Sequence, residues 1–94
     1  MKPEIASIKK PGKILIVEDD EGMRFFLSEA LQKEGYSFHS VESGEQAIKE
    51  VEKEPFDLIL LDYNLPQMNG METFARLKEK ASEQVVILIT AFGN

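Results

Sequence analysis

Ile14-Leu15-Ile16-Val17-Glu18-Asp19-Asp20 decides the fold: four unbroken apolar residues stop against three carboxylates. A run of Ile, Leu and Val without polar alternation suits a strand buried on both faces, as in a parallel sheet. A second run, Leu58-Ile59-Leu60-Leu61, ends in the same way on Asp62. Parallel strands present their C-terminal ends at one edge, where open α/β sheets bind ligands. The two runs therefore predict that Glu18, Asp19 and Asp62 meet in one cleft. Bare carboxylates a few Å apart repel by roughly 4 kcal/mol per pair at an effective dielectric near 20. A hard divalent cation such as Mg²⁺, which takes oxygen ligands and keeps several waters, is the expected occupant.

Outward from these strands the chain alternates strand and helix signals. Met23, Phe26, Leu27, Ala30 and Leu31 recur at helical spacing behind Asp20, which suits an N-cap, and Gly35 suits the stop. Tyr36 to Val41 is more polar and reads as an edge strand. Ser43 with Gln46 resembles a capping box, with Ala47, Ile48 and Val51 on one face and Pro55 closing the helix. Phe56 to Asp62 is the third strand. Asn69 with Glu72 caps a third helix through Met71, Phe74, Ala75 and Leu77, and Val85 to Ile89 is the fourth strand, with Thr90 at its end. The order β-α-β-α-β-α-β predicts a parallel sheet with right-handed crossovers and helices on both faces. Residues 1–12, with two prolines and scattered lysines, read as a flexible tail.

Composition narrows the function classes. Ninety-four residues, 43% hydrophobic and 30% charged, describe one small globular domain. A formal charge of −6 argues against direct nucleic-acid binding, which needs clustered Lys and Arg. The absence of cysteine removes disulfides and thiolate sites, and no apolar run approaches bilayer length. With no signal-peptide pattern, the expected location is cytoplasmic, away from the membrane. His39 lies in the polar strand and reads as a surface histidine. Phe25, Phe26, Phe38, Phe56 and Phe74 read as core or its margin, and the charges from Lys49 to Glu54 as a solvated helix face.

Three motifs in order, Ile14 to Asp20, Asp57 to Pro66 with Met68-Asn69-Gly70, and Leu88-Ile89-Thr90-Ala91, together resemble the receiver domain of bacterial two-component response regulators. The ending Thr90-Ala91-Phe92-Gly93-Asn94 is also similar to receivers of enhancer-dependent transcription activators. The resemblance covers residues 13–94. It implies a flavodoxin-like, doubly wound three-layer α/β fold with strand order 2-1-3-4. It implies that Asp62 is the phosphoacceptor for a sensor histidine kinase in a phosphorelay. Asp19 would touch Mg²⁺ directly, Glu18 through water, and Asn64 through its backbone carbonyl, with Asp62 completing the metal set. Thr90 would supply the switch hydroxyl, which donates to the new phosphoryl oxygen and biases a pre-existing equilibrium. Gly70 would shape the loop after the acceptor by its conformational freedom. The implied role is that of a phosphoryl substrate, not an enzyme with turnover.

The sequence departs from the family after Thr90. A complete receiver adds a helix, a strand ending in lysine, and a last helix, so the expectation is a truncated receiver lacking them. The last lysine, Lys80, falls at the end of the third helix. The fourth strand is then expected to be an open edge, closed by pairing of Val85 to Ile89 between copies or by segment exchange. Two alternatives remain at this stage. One is an interaction-only, self-associating receiver that does not signal by phosphorylation. The other is an aspartyl-nucleophile phosphatase of the haloacid dehalogenase type, which wants an acid where Asn64 stands.

Overall fold

The computed structural model describes residues 12–65 and 68–89. Four strands, β1 (Lys13–Val17), β2 (Ser37–Val41), β3 (Leu58–Asp62) and β4 (Val86–Ile89), form one parallel sheet in the order β2-β1-β3-β4. Three helices connect them: α1 (Glu21–Lys33), α2 (Gly44–Lys53) and α3 (Gly70–Lys80). The fold is thus the flavodoxin-like doubly wound sheet with order 2-1-3-4. The expected tail is described only at Gly12, which is buried and whose carbonyl accepts from Ser37 N at 2.9 Å and Ser37 Oγ at 3.0 Å. Thr90, Pro66 and Phe92 lie outside the described residues.

Alternation along the inner strands divides the core between two faces. Leu15 and Val17 of β1 join Ile59 and Leu61 of β3 beneath α2 and α3, with Ala47 and Leu77 from those helices. Ile14, Ile16, Leu58 and Leu60 face the other way, against Leu31 of α1 and Tyr36. Burial of each such Leu or Ile contributes about 1.5–3 kcal/mol, so β1 and β3, buried over Ile14–Val17 and throughout Leu58–Asp62, are the most strongly held elements. All four residues of β4 are half-exposed, as is consistent with its place at the sheet's edge.

Each helix start is set by one polar side chain. The carboxylate of Asp20 accepts from Met23 N at 2.8 Å, Ser43 Oγ from Gln46 N at 3.2 Å, and Asn69 Oδ1 from Glu72 N at 2.8 Å. Gln46 reaches back to the amide of Glu42 at 2.7 Å, one residue before the cap itself. Gly35 takes φ 87°, the left-handed conformation that ends α1. Glu54, ahead of Pro55, is extended, as a residue preceding proline is driven to be. The strands begin one or two residues later than the sequence predicts, at Ser37, Leu58 and Val86.

Two expectations about aromatic residues fail. Phe25 and Phe26 are 66% and 64% exposed, although the helical spacing counted Phe26 on the buried face of α1. Leu31 and Leu27 turn α1 onto the sheet, and among the described residues nothing covers the face that carries the two rings. Phe56 is buried, Phe38 and Phe74 are half-buried, and His39 is exposed, 3.5 Å from Glu50 Oε1. Lys80 Nζ lies 2.6 Å from Glu52 Oε2, an ion pair between α3 and α2.

Candidate metal and phosphoacceptor site

Register brings the acids together. Val17 of β1 pairs with Leu61 of β3, so the next residues, Glu18 and Asp62, emerge side by side at the C-terminal edge. One carboxylate oxygen from each of Glu18, Asp19 and Asp62 lies within 4.8 Å of the others. Asp19 is exposed, whereas Glu18 and Asp62 are buried. The cluster is therefore half-sunk, with one open side.

Hydrogen bonding fixes part of this cluster and leaves a gap. Asp62 Oδ1 accepts from Asn64 N at 3.1 Å, and Glu18 Oε2 from Asp20 N at 3.1 Å. Glu18 Oε1 is buried with no partner among the described residues. Two carboxylates have no proton to share unless one is neutral, so a proton, a bound water or a cation is needed to satisfy that oxygen. Burial pushes the Glu18 carboxyl up to about 7, helped by the charges of Asp62 and Asp19 and opposed by the Asp20 amide. An orphaned buried oxygen, three convergent acids and an open side for water fit a hard divalent cation.

The loop after β3 is held close behind Asp62. Gly70 N donates to Tyr63 O at 2.9 Å. A Cβ on Gly70 would fall 2.5 Å from Tyr63 Cα and 2.8 Å from Asp62 O. Gly70 is the first residue of an ordinary helix, so the glycine serves close approach; the conformational freedom expected from the sequence is not what it supplies. Asn64 is exposed, and its backbone amide, not foreseen from the sequence, orients the Asp62 carboxylate.

Sequence reasoning also missed Arg24. Its Nη1 donates to the carbonyls of Glu18 at 3.0 Å and Asp19 at 3.1 Å, and its Nη2 stands 3.7 Å from Glu42 Oε2. The available signal was its position. A cation four residues into α1 sits at the positive end of the helix dipole, where it is unfavourable unless something else holds it.

Among known proteins, the family model described as "Response regulator receiver domain" matches residues 14–94. This chain belongs to the response regulator receiver domain family. The receiver is 44% identical over 82 residues to sporulation initiation phosphotransferase F of Bacillus subtilis, covering 87% of this chain and 66% of that protein's length. It superimposes with a TM-score of 0.83, at 35% identity, on response regulator protein TrrA of Thermotoga maritima in complex with Mg²⁺-BeF, covering 87% of this chain and 71% of that one. TrrA in complex with histidine kinase ThkA is similarly close, with a TM-score of 0.82, 35% identity, and coverage of 88% and 72%. The receiver thus spans just under two thirds of that curated relative. No helix among the described residues is long and apolar enough to cross a membrane.

Proposed function

We propose that this receiver accepts a phosphoryl group on Asp62 from the phosphohistidine of a sensor histidine kinase, with Mg²⁺ at the acidic cluster. One observation carries the reading: Asp62 is buried at the sheet's C-terminal edge beside Glu18 and Asp19, and Glu18 Oε1 lacks a partner among the described residues. The relatives add support, because TrrA is described both with Mg²⁺-BeF and with a histidine kinase.

In this reading the Asn64 amide holds Oδ1 of Asp62 and leaves the other oxygen to attack phosphorus. The new O–P bond forms as the P–N bond to the kinase imidazole breaks, and the bonding pair leaves with the imidazole. Mg²⁺, when bound, offsets the charge gathered by the carboxylates and phosphoryl oxygens. Asp19, Glu18 (through water, as the resemblance implies), Asp62 and the Asn64 carbonyl would hold it. Thr90, following Ile89 in sequence, donates its hydroxyl to the acyl phosphate. The module is a phosphoryl substrate without turnover on small molecules, it touches no nucleic acid itself, and it works in the cytoplasm. The half-exposed β4, paired on one side only among the described residues, supports self-association of copies along that edge.

The test is incubation with acetyl phosphate and Mg²⁺ followed by intact mass. The chain gains one phosphoryl group, and Asp62→Asn does not. A folded chain that binds Mg²⁺ without an adduct returns the interaction-only alternative.

A further inference from the structure

The geometry points to Arg24 as a positioning residue for the acidic site, clamping the backbone of Glu18 and Asp19 so that their carboxylates converge on Asp62. The inference rests on the reading of that site as a Mg²⁺ site, and adds a residue outside the acidic set.

Three observations carry it. Arg24 spends its Nη1 on the carbonyls of the two acids themselves, at 3.0 and 3.1 Å, and on neither carboxylate. The guanidinium leaves both carboxylates untouched: Glu18 Oε2 accepts from Asp20 N, and Glu18 Oε1 has no partner among the described residues. The guanidinium is also tied outward: its Nη2 faces Glu42 Oε2 at 3.7 Å, and the backbone joins the same two loops through Glu18 N to Val41 O at 3.1 Å. The arginine side chain is 19% exposed, so it is held in place and not swinging in solvent. A planar guanidinium can bridge two carbonyls and a carboxylate from one position, whereas an ammonium is a single point charge. Arg24 thus bends the acidic loop toward β3 from behind, at the end of α1 where a cation would otherwise be disfavoured.

Charge alone and positioning predict opposite signs. Removing a cation beside a divalent site strengthens metal binding by Coulomb's law. Loss of a clamp weakens it, by roughly ten-fold for partners that orient metal ligands. The experiment is Mg²⁺ titration of the full chain followed by backbone amide shifts of Asp19, Asp20 and Asn64. Both Arg24→Gln and Arg24→Lys should bind Mg²⁺ about ten-fold more weakly than wild type. In metal-free protein both should lose hydrogen-exchange protection at the Glu18 and Asp20 amides. Unchanged or tighter Mg²⁺ binding in Arg24→Gln overturns the proposal, as does Arg24→Lys with full wild-type affinity. If Arg24→Gln does not fold, Arg24→Lys decides alone. A wild type that binds Mg²⁺ but takes no phosphoryl group ends the functional reading and leaves the Arg24 result standing. A wild type that ignores Mg²⁺ ends that reading too, and metal-free exchange then decides on Arg24.

Discussion

Glu18 is the residue on which the site turns. Its carboxyl titrates at about 7 in the folded chain against an ordinary 4.5, so the folded state holds the proton more tightly than the unfolded state. That contribution is fully present below about 4.5 and is lost as pH rises through about 7, on the order of 3 kcal/mol in all. Metal-free wild type should therefore lose stability across this window relative to Glu18→Gln, whose thermal melts should stay flatter. Above it, Mg²⁺ should replace the proton and restore the difference. A wild-type profile parallel to that of Glu18→Gln would remove the buried acid from the account. Gly70 makes a second residue-scale point. Gly70→Ala forces a methyl group against the backbone of Asp62 and Tyr63 and should cost about 1–3 kcal/mol by denaturant unfolding.

At the level of elements, α2 and α3 meet where Gly44 leaves room for the Thr73 side chain. Thr73 is fully buried, and its hydroxyl donates to Asn69 O at 2.8 Å. A methyl on Gly44 collides with Thr73, so Gly44→Ala should destabilise by about 1–3 kcal/mol. Adding Thr73→Ala should return part of that loss, and a strictly additive double variant would rule out the contact. The helices themselves were legible because each carries its own cap: Asp20, Ser43 and Asn69 are local signals, satisfied by amides three residues on. The inner strands β1 and β3 were legible because both their faces are buried, which leaves no polar alternation to mislead. The convergence of Glu18 with Asp62 followed from strand direction alone. What was not legible is tertiary. The exposure of Phe25 and Phe26 depends on what packs against α1, which helical spacing does not encode. The clamp of Arg24 depends on a carbonyl pair that exists only once the loop is bent. The reason for Gly70 lies in an approach to Tyr63, not in its own backbone angles.

For the molecule as a whole, Mg²⁺ held at the acidic cluster as proposed would be a folding ligand as well as a chemical one. At about ten times its dissociation constant it should add about 1.4 kcal/mol, several degrees of melting temperature for a domain of this size. Asp19→Asn and Asp62→Asn should each lose that gain, and persistence of the full shift in either would take its carboxylate out of the site.

The two ends of the sheet also differ in how they are closed. At the start of β1, Lys13 donates its amide to Asp57 Oδ2 at 2.7 Å, pairs its ammonium with Glu54 at 2.5 Å, and lies 5.4 Å from the Phe56 ring centre. At the far end of the same strand stand the three clustered acids, Glu18, Asp19 and Asp62. Simple salt such as NaCl thus pulls on the domain from both sides, loosening an attraction at one pole while easing a repulsion at the other. Sodium chloride should leave the wild-type melting point nearly flat. Lys13→Met, with the attractive pole gone, should become a protein that ordinary brine makes sturdier.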